Sequence, residues 1–472
     1  MRLKTLIKKF IPSFLLGFYH YLLAAFSAFL YNFPSRKIKV IGITGTSGKT
    51  TATELVSRIL EEAGYKTAVL SSIKFKIGNQ EEENKLKMTM PGRTRIQKFL
   101  SQAVKSGCKY AVLEVTSEGI KQYRHKFIDF DIAVFTNLTP EHIESHQGFE
   151  NYKKAKGELF KATKEVHIIN LDDKNAEYFL KFSSNQKYLY KISSQNGFFS
   201  NEEKKKFSSQ QDVLLLEKVR IDAQIKLIEA KNCQASPQGI DFTIEDISFH
   251  LDLLGSFNIY NALAAVCAGL SQGISLKTCK SALEKAKGVP GRMEIVVKEP
   301  FSVIVDYAHT PNSLKKVYQT VRDFKFKVAS GRQIQSRRRS ATADAKLICV
   351  LGSCGGGRDK WKRPVLGKIA AEYCDRIIVT NEDPYDEDPL KIIKDVESGF
   401  LHFFSGSFAP KYYEILDRRK AIRKALSLAG RGDIVVITGK GSECWMCLKN
   451  GKKIPWDDRQ CVREEMKKLE NF

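Results

Sequence analysis

The run Gly45-Thr46-Ser47-Gly48-Lys49-Thr50-Thr51 gathers the residue types that hold a phosphate. Glycines let the backbone turn its N–H groups toward phosphate oxygens, a lysine reaches the terminal phosphates, and a hydroxyl beside it ligates magnesium. Lys49 and Thr50 stand where that lysine and that hydroxyl belong. The spacing departs from the common phosphate loop, which has glycine where Ile43 stands here; Gly42 and Gly45 flank the position.

Such a loop works only between a strand and a helix. Ile38 to Ile43 reads as a short buried strand, and Thr53 to Ala63 as a helix with Leu55, Val56, Ile59 and Leu60 on its apolar face. Tyr110 to Val115 reads as a second buried strand. Gly288-Val289-Pro290-Gly291 has the composition of a linker. The expected class is α/β: a phosphate-loop central domain with a mainly parallel sheet, and a smaller Rossmann-like C-terminal domain that closes over the nucleotide. The expected boundaries are residues 1–36 for an apolar N-terminal helix, 37–288 for the central domain and 289–472 for the C-terminal domain.

With 472 residues, 43% of them hydrophobic and 28% charged, the chain has the composition of a multidomain globular protein. Lys and Arg outnumber Asp and Glu by 77 to 53, a formal charge of +24. That excess attracts anions without selecting among nucleic acid, anionic lipid and phosphorylated small molecules, and a solvated basic surface explains it equally well. The ten cysteines form no framework; Cys444-Trp445-Met446-Cys447 is a lone CxxC without the second pair a zinc site needs, so reduced thiols are expected.

Between Lys9 and Arg36 no Asp, Glu, Lys or Arg occurs. Phe14 to Tyr31 is nearly all apolar, close to the roughly 20 residues that span a bilayer. No small-residue cleavage site follows, so a cleaved signal peptide is not expected. Three readings remain open for residues 10–33: a spanning helix, a helix lying on the membrane surface, and a helix packed on the body of the protein.

The loop within Thr44–Thr51 resembles the T-G-T-x-G-K-T-T loop of the Mur ligases, and further motifs follow in the same order. Glu114-Val115-Thr116-Ser117-Glu118-Gly119-Ile120 is similar to E-V-S-S-H-G-L of the UDP-N-acetylmuramoyl-tripeptide synthetases. Phe135-Thr136-Asn137-Leu138, Glu141-His142 and Tyr152-Lys153-Lys154-Ala155-Lys156 resemble F-T-N-L, D-H and Y-x-x-A-K. Gly255 to Asn261, Gly291-Arg292-Met293-Glu294, Asp306 to Pro311, Arg358-Asp359-Lys360 and Gly439-Lys440-Gly441 continue the series. The similarity covers residues 38 to 472.

That resemblance implies ATP-dependent amide formation. An acceptor carboxylate attacks the γ-phosphate of ATP, and the amine of an amino acid then displaces phosphate from the acyl phosphate. The implied residues are Lys49 and Thr50 at the phosphates; Glu114, His142 and Lys156 at magnesium, the last if carbamylated rather than an ordinary surface lysine; and Asn258, Arg292, Asp306 and His309 at the nucleoside and the interdomain hinge. Thr89, Ser117 and Arg124 match positions that hold a muramoyl peptide. Arg358, Glu382, Asp383, Tyr385 and Glu443 fall where the incoming amino acid is recognised. ATP and Mg2+ are the implied cofactors, a cytoplasmic site, at the inner face of the membrane if residues 10–33 engage it, is the implied location, and a monomer is expected.

Three departures qualify the match. Glu382-Asp383-Pro384-Tyr385 replaces D-N-P-R, whose arginine grips the distal carboxylate of diaminopimelate; the acidic run from Glu382 to Asp388 suggests a cationic amino acid such as lysine instead. Ser442 replaces the histidine of G-K-G-H-E, and Glu118 that of S-S-H-G-L. The phosphate loop also starts so early that the usual N-terminal domain for uridine diphosphate is expected to be missing, which raises a lipid-linked acceptor. Lys325 to Arg339 is expected to be a solvated basic loop. Rival readings are a ligase of poly-amino acids or of lipid-linked muramoyl peptides, and, in another class, a membrane-anchored nucleic-acid-binding NTPase. No nucleic-acid motif supports the last, and nucleic acid is not an expected partner.

Overall fold

The computed structural model describes residues 13–193, 224–330, 345–400 and 411–470. Aliphatic runs make the strands of a first sheet: β1 (Lys39–Thr44), β2 (Thr67–Leu70), β3 (Lys74–Ile77), β4 (Gln80–Glu83), β5 (Tyr110–Glu114), β6 (Ile132–Phe135), β7 (Val166–Asn170), β8 (Gln186–Ile192), β9 (Gln224–Ser236), β10 (Gly239–Ile244) and β11 (Ile247–Leu251). Their order is β11-β10-β9-β8-β7-β6-β1-β5-β2-β3-β4. The middle of the sheet is parallel, and β3, β4, β10 and β11 are antiparallel additions at its two ends. Strands β2, β5, β6 and β7 are buried at every residue, as parallel strands covered on both faces must be.

Register decides where chemistry can occur. Ile43 of β1 lies opposite Glu114 of β5, and Thr44 opposite Phe135 of β6. The carboxyl ends of the three central strands therefore finish level, and the loops that follow share one edge of the sheet, where open α/β sheets place their ligands.

Helix α1 (Ser13–Leu30) precedes the sheet. Helices α2 (Lys49–Glu62), α3 (Arg93–Lys105), α4 (Ser117–Lys121), α5 (Ile143–His146), α6 (Phe149–Ala162), α7 (Ala176–Leu180), α8 (Phe257–Ser271) and α9 (Leu276–Glu284) belong to the sheet's domain. Leu55, Val56, Ile59 and Leu60 of α2 share one core with Ala262 to Ala268 of α8, and Phe99 of α3 shares the core on the other face with Leu159 and Phe160 of α6. Helix α8 is apolar nearly all round because it is nearly all buried.

A second sheet contains β12 (Glu294–Val297), β13 (Ser302–Asp306), β14 (Leu347–Leu351), β15 (Arg376–Thr380), β16 (Lys411–Ile415) and β17 (Ile434–Thr438) in the order β12-β13-β17-β14-β15-β16. All its pairs but β12 with β13 are parallel. Helices α10 (Pro311–Ser330), α11 (Lys362–Tyr373), α12 (Pro389–Glu397), α13 (Arg418–Leu428) and α14 (Asp458–Glu470) accompany it. The α/β class with two sheet-based domains agrees with the sequence expectation, and the first sheet's helices end at Glu284 while the second sheet starts at Glu294.

One expectation changes, and one open reading narrows. Lys325 to Ser330 continue helix α10 rather than starting a loop, and Gly331 to Arg339 lie outside the described residues. Among the described residues no helix is long and apolar enough to cross a membrane. Its small residues face the protein: Ala24 and Ala28 are buried, and the Ser27 hydroxyl lies 2.8 Å from that of Thr94 at the start of α3. Tyr21 packs on Phe127 with ring centroids 5.0 Å apart.

Candidate active site

Helix α2 begins at Lys49, four residues before the helix expected from apolar periodicity. The apolar face starts at Leu55, but the first turn, Lys49 to Ala52, is set by the glycine loop. Gly48 precedes the helix at φ +83° and supplies no side-chain cap. The amides of the first turn thus have no side-chain acceptor at their cap and stand at the head of a helix dipole, which is the general construction of an anion site. Glycine is required at both ends of the loop. A β-carbon at Gly48 would lie 2.3 Å from Asn261 Oδ1, and one at Gly45, whose φ is +154°, 1.9 Å from Thr136 Oγ1.

Two lysines converge inside this loop. Lys49 Nζ donates to the carbonyls of Gly45 at 2.9 Å and Thr46 at 3.0 Å, while Lys156 Nζ, from helix α6, donates to the same Gly45 carbonyl at 2.8 Å. Burial pushes the Lys49 ammonium below its ordinary value, with Glu114 opposing and Arg292 adding to the shift. Lys156 is 2% exposed; burial, then the Lys49 charge, push it well below the ordinary lysine range. Two buried amines that share one carbonyl place N–H donors at the loop, and a chain of phosphates there would favour their protonated forms.

Around them stand the groups that answer to cations. Glu114, at the end of β5, accepts from the backbone N–H and the hydroxyl of Ser72 at 2.8 and 3.0 Å. Glu141 accepts from Lys362 Nζ at 2.9 Å through Oε1, and its buried Oε2 has no hydrogen-bond partner. His142 sits at φ +56°, and burial, together with Arg358, Lys156 and Lys362, lowers its imidazole to about 2, so the ring is neutral. Among the described residues no three His, Cys, Asp or Glu side chains gather closely enough to hold a metal ion by themselves.

All the expected site residues line one cleft of about 2180 Å3 between the two domains. On the hinge side, Arg292 Nη2 reaches Thr50 Oγ1 at 3.4 Å and its guanidinium stacks 4.3 Å over the Tyr307 ring. Asp306 accepts from the amides of Met293 and Ala308 at 2.7 and 2.6 Å, which fixes the connection between the sheets; burial raises its carboxyl. His309 lies 2.8 Å from the Tyr307 carbonyl, and burial lowers its ring well below the ordinary value. Asn258 Nδ2 donates to the Leu254 carbonyl, and Asn261 Nδ2 to Asn258 Oδ1, each at 2.8 Å. In the opposite direction, Thr89 and Ser72 pair their hydroxyls at 2.8 Å, Ser117 opens helix α4, and Arg124 donates to Gln122 Oε1 at 2.7 Å and to the Met90 carbonyl.

The acidic run differs from its sequence reading. Asp383 is not a free negative charge: Lys440 Nζ donates to both its oxygens at 3.0 and 2.9 Å, Lys87 Nζ donates to Oδ2, and the Cys447 amide donates at 2.8 Å. Against the upward push of burial, Lys440 and Lys87 hold its carboxyl below the usual range. Glu382 is buried too; burial raises its carboxyl, and it accepts from the Cys354 thiol at 3.0 Å. Glu443 accepts from Tyr307 Oη at 3.1 Å and from Lys440 at 2.7 Å. Tyr385, at φ +51°, has Lys87 Nζ 5.8 Å from its ring. Asp383 therefore meets the cleft already matched by two lysines, while Glu382 keeps a buried oxygen without a hydrogen-bond partner, so the run is less negative toward the cleft than its composition suggests. Cys444 and Cys447 are free thiols like the other eight cysteines, and Cys447 serves Asp383 through its amide.

Sequence reasoning missed the residues that join the domains. Lys87, 10% exposed, crosses from the first domain to Asp383 and, at 3.3 Å, to Glu443. Lys362 crosses to Glu141, both nearly fully buried. Asp359 accepts from the amides of Ile143 and Glu144 at 3.1 and 3.0 Å and so caps α5 from the other domain. Asp359 lies in the Arg358-Asp359-Lys360 motif and Lys362 stands two residues after it, but Lys87 has no local signal.

Comparison with known proteins agrees with this geometry. Residues 43–269 match the Mur ligase middle domain, and residues 291–441 the Mur ligase, glutamate ligase domain. The chain is 36% identical over 447 residues to the UDP-N-acetylmuramoyl-L-alanyl-D-glutamate--2,6-diaminopimelate ligase of Syntrophomonas wolfei, covering 94% of this chain and 81% of that enzyme. It is 37% identical over 454 residues to the enzyme of that name from Clostridium botulinum, covering 95% and 82%. A solved structure of a UDP-N-acetylmuramoyl-L-alanyl-D-glutamate--2,6-diaminopimelate ligase superposes with a TM-score of 0.55 at 28% identity, covering 92% of this chain and 79% of that one. A cleft between two α/β domains, with a glycine loop, two converging lysines and these relatives along nearly its whole length, places the chain in the Mur ligase family of ATP-dependent amide-forming ligases.

Proposed function

We propose that this enzyme joins an amino acid, 2,6-diaminopimelate, to the free carboxyl group of a UDP-linked muramoyl dipeptide in the making of peptidoglycan precursors, as the names of its relatives state for those proteins. The observation that carries the reading is the convergence of Lys49 and Lys156 on the Gly45 carbonyl at the start of α2. An acceptor carboxylate oxygen attacks the γ-phosphorus of ATP, the bond to the ADP oxygen breaks, and an acyl phosphate results. The amine then attacks the acyl carbon, phosphate leaves, and the amide forms with loss of a proton. No protein nucleophile takes part, so the residues contribute by position and charge.

In this reading Gly45, Thr46, Ser47, Gly48 and Thr51 present the loop to the phosphates, and Lys49 neutralises their charge. Asn258, Arg292, Asp306 and His309 hold the nucleoside side and the hinge, while Thr89, Ser117 and Arg124 hold the acceptor. Thr50, Glu114, His142 and a carbamylated Lys156 fit Mg2+. The partnerless oxygen of Glu141 and the depressed Lys156 amine support that fit, since only a neutral amine adds carbon dioxide. With so few acidic ligands gathered, such an ion would share its coordination with phosphate oxygens, where it would offset their charge.

Arg358, exposed in the cleft, would meet the distal carboxylate in the absence of an arginine at Tyr385, with Glu382, Asp383 and Glu443 shaping the surroundings. The relatives' names and the matched charge of Asp383 favour diaminopimelate over lysine. The use of ATP supports a cytoplasmic site. Phosphate release measured with ATP, UDP-muramoyl dipeptide and either meso-diaminopimelate or lysine tests the proposal. Release should require all three components and prefer diaminopimelate. Release without acceptor or amino acid would refute the ligase reading, and a preference for lysine would refute the choice of amino acid.

A further inference from the structure

Helix α1 turns its large apolar side chains away from the protein. Leu15, Phe18, Leu22, Phe26 and Phe29 follow one another at helical spacing, and Phe18, Phe26 and Phe29 are 60%, 62% and 73% exposed. The fully buried residues of the helix are the small ones, Ala24, Ser27 and Ala28, with Tyr21 packed beside them on Phe127. A helix that keeps its small residues for its own fold and shows its large ones outward is arranged for another apolar medium.

We propose that this face of α1 lies in the surface of an anionic lipid bilayer. Three observations select that occupant. The helix carries no charged residue, yet the chain as a whole bears +24. Exposed Lys37 follows its end, and exposed Arg95 and Lys98 stand on α3, against which it packs. Charge of this sign is drawn to anionic headgroups and opposes pairing with a second copy of an equally positive chain. The helix is also not long and apolar enough to cross, so it lies in the interface plane, where an apolar face is buried to the depth of the acyl boundary.

The location adds a consequence. Tyr21 packs on Tyr123, the neighbour of Arg124, and Leu23 shares a small cavity with Met88, which also lines the main cleft. Docking would hold the end of the cleft formed by Met88 and Arg124 beside the membrane surface. This inference is independent of which amino acid is joined.

The test uses the full chain and vesicles of phosphatidylcholine with or without phosphatidylglycerol. Wild type should cosediment with the phosphatidylglycerol vesicles, more weakly at high salt. The Phe18→Ser/Phe26→Ser/Phe29→Ser variant should bind at least tenfold more weakly while keeping its phosphate-release rate on soluble substrates, which also shows that it is folded. In a second variant, Phe29→Trp, brominated lipid should quench the added fluorescence beyond the quenching seen in wild type. Equal vesicle binding by wild type and the serine variant, no extra quenching in the Phe29→Trp variant, or a wild-type dimer that the serine variant abolishes without any lipid binding would each overturn the proposal.

Discussion

Replacing Lys87 by methionine removes a cation that the first domain lends to the second. Lys87 Nζ lies 3.3 Å from Glu443 Oε2 and also donates to Asp383, with the lysine side chain 10% and the aspartate 1% exposed. At an effective dielectric of 20, one such pair at that distance is worth about 5 kcal/mol before desolvation. The net loss is smaller. Lys440 stays on both Asp383 oxygens at 3.0 and 2.9 Å, the Cys447 amide remains, and repulsion between the two lysines disappears. About 2 kcal/mol is the expected loss, below the 3–5 kcal/mol of a buried charge left alone. Because the contact joins domains, that energy comes from the closed arrangement, so kcat/KM for the amino acid should fall about thirtyfold, using 1.4 kcal/mol per factor of ten. Steady-state phosphate release, with thermal unfolding as a control, reads both. Asp383→Asn should lower kcat/KM too, and the double variant should lose less than the sum of the two. Wild-type kcat/KM in Lys87→Met, or strict additivity in the cycle, would refute the reasoning.

Lys156→Ala should lower turnover at least a hundredfold and recover in part when a short carboxylic acid is added, as expected if a carbamate stands at that position; wild-type turnover would exclude the role. Gly48→Ala forces a β-carbon to 2.3 Å from Asn261 Oδ1 at φ +83°, so ATP affinity measured by calorimetry should fall at least tenfold, backbone strain alone accounting for about 1–3 kcal/mol. Burial lowers His125 to about 3 and His167 to about 4 from an ordinary value of 6.5. Between those values the unfolded chain binds protons that the folded chain refuses, so the contribution is fully present above pH 6.5 and is lost as pH falls, by up to about 1.4 kcal/mol per pH unit for each ring. Urea midpoints should therefore drop steeply from pH 6.5 to pH 5, and His125→Gln/His167→Gln should flatten that slope; an unchanged slope would contradict the assignment.

The fold was readable where a pattern is local. The β-branched and aliphatic runs at Lys39–Thr44 and Tyr110–Glu114 appear as strands within a residue of their expected bounds. Helix α2 began early because its first turn serves the glycine loop and carries none of the apolar face, and α10 ran on through Lys325 to Ser330, where a lysine-rich composition by itself does not separate helix from loop. The three readings of residues 10–33 stayed open in the sequence for a similar reason: apolar composition does not reveal which side of a helix has a partner. Part of its face was already committed to α3 through Ala24, Ser27 and Ala28.

By itself the sequence determined the phosphate loop, the family and the candidate residues, because these rest on backbone conformations and residue types encoded in consecutive positions. Only the tertiary structure decided the charge state of the cleft. Lys87 meets Asp383 across 296 positions and Lys362 meets Glu141 across 221, and no local pattern records either pairing. An acidic run that suggested a site for a cation is matched in part by lysines from elsewhere, and Lys156, whose type alone left a surface charge as the alternative, is a buried amine. The physical reason is that the energy of a charge depends on its burial and its neighbours in space, which folding sets, while its identity is all the chain carries.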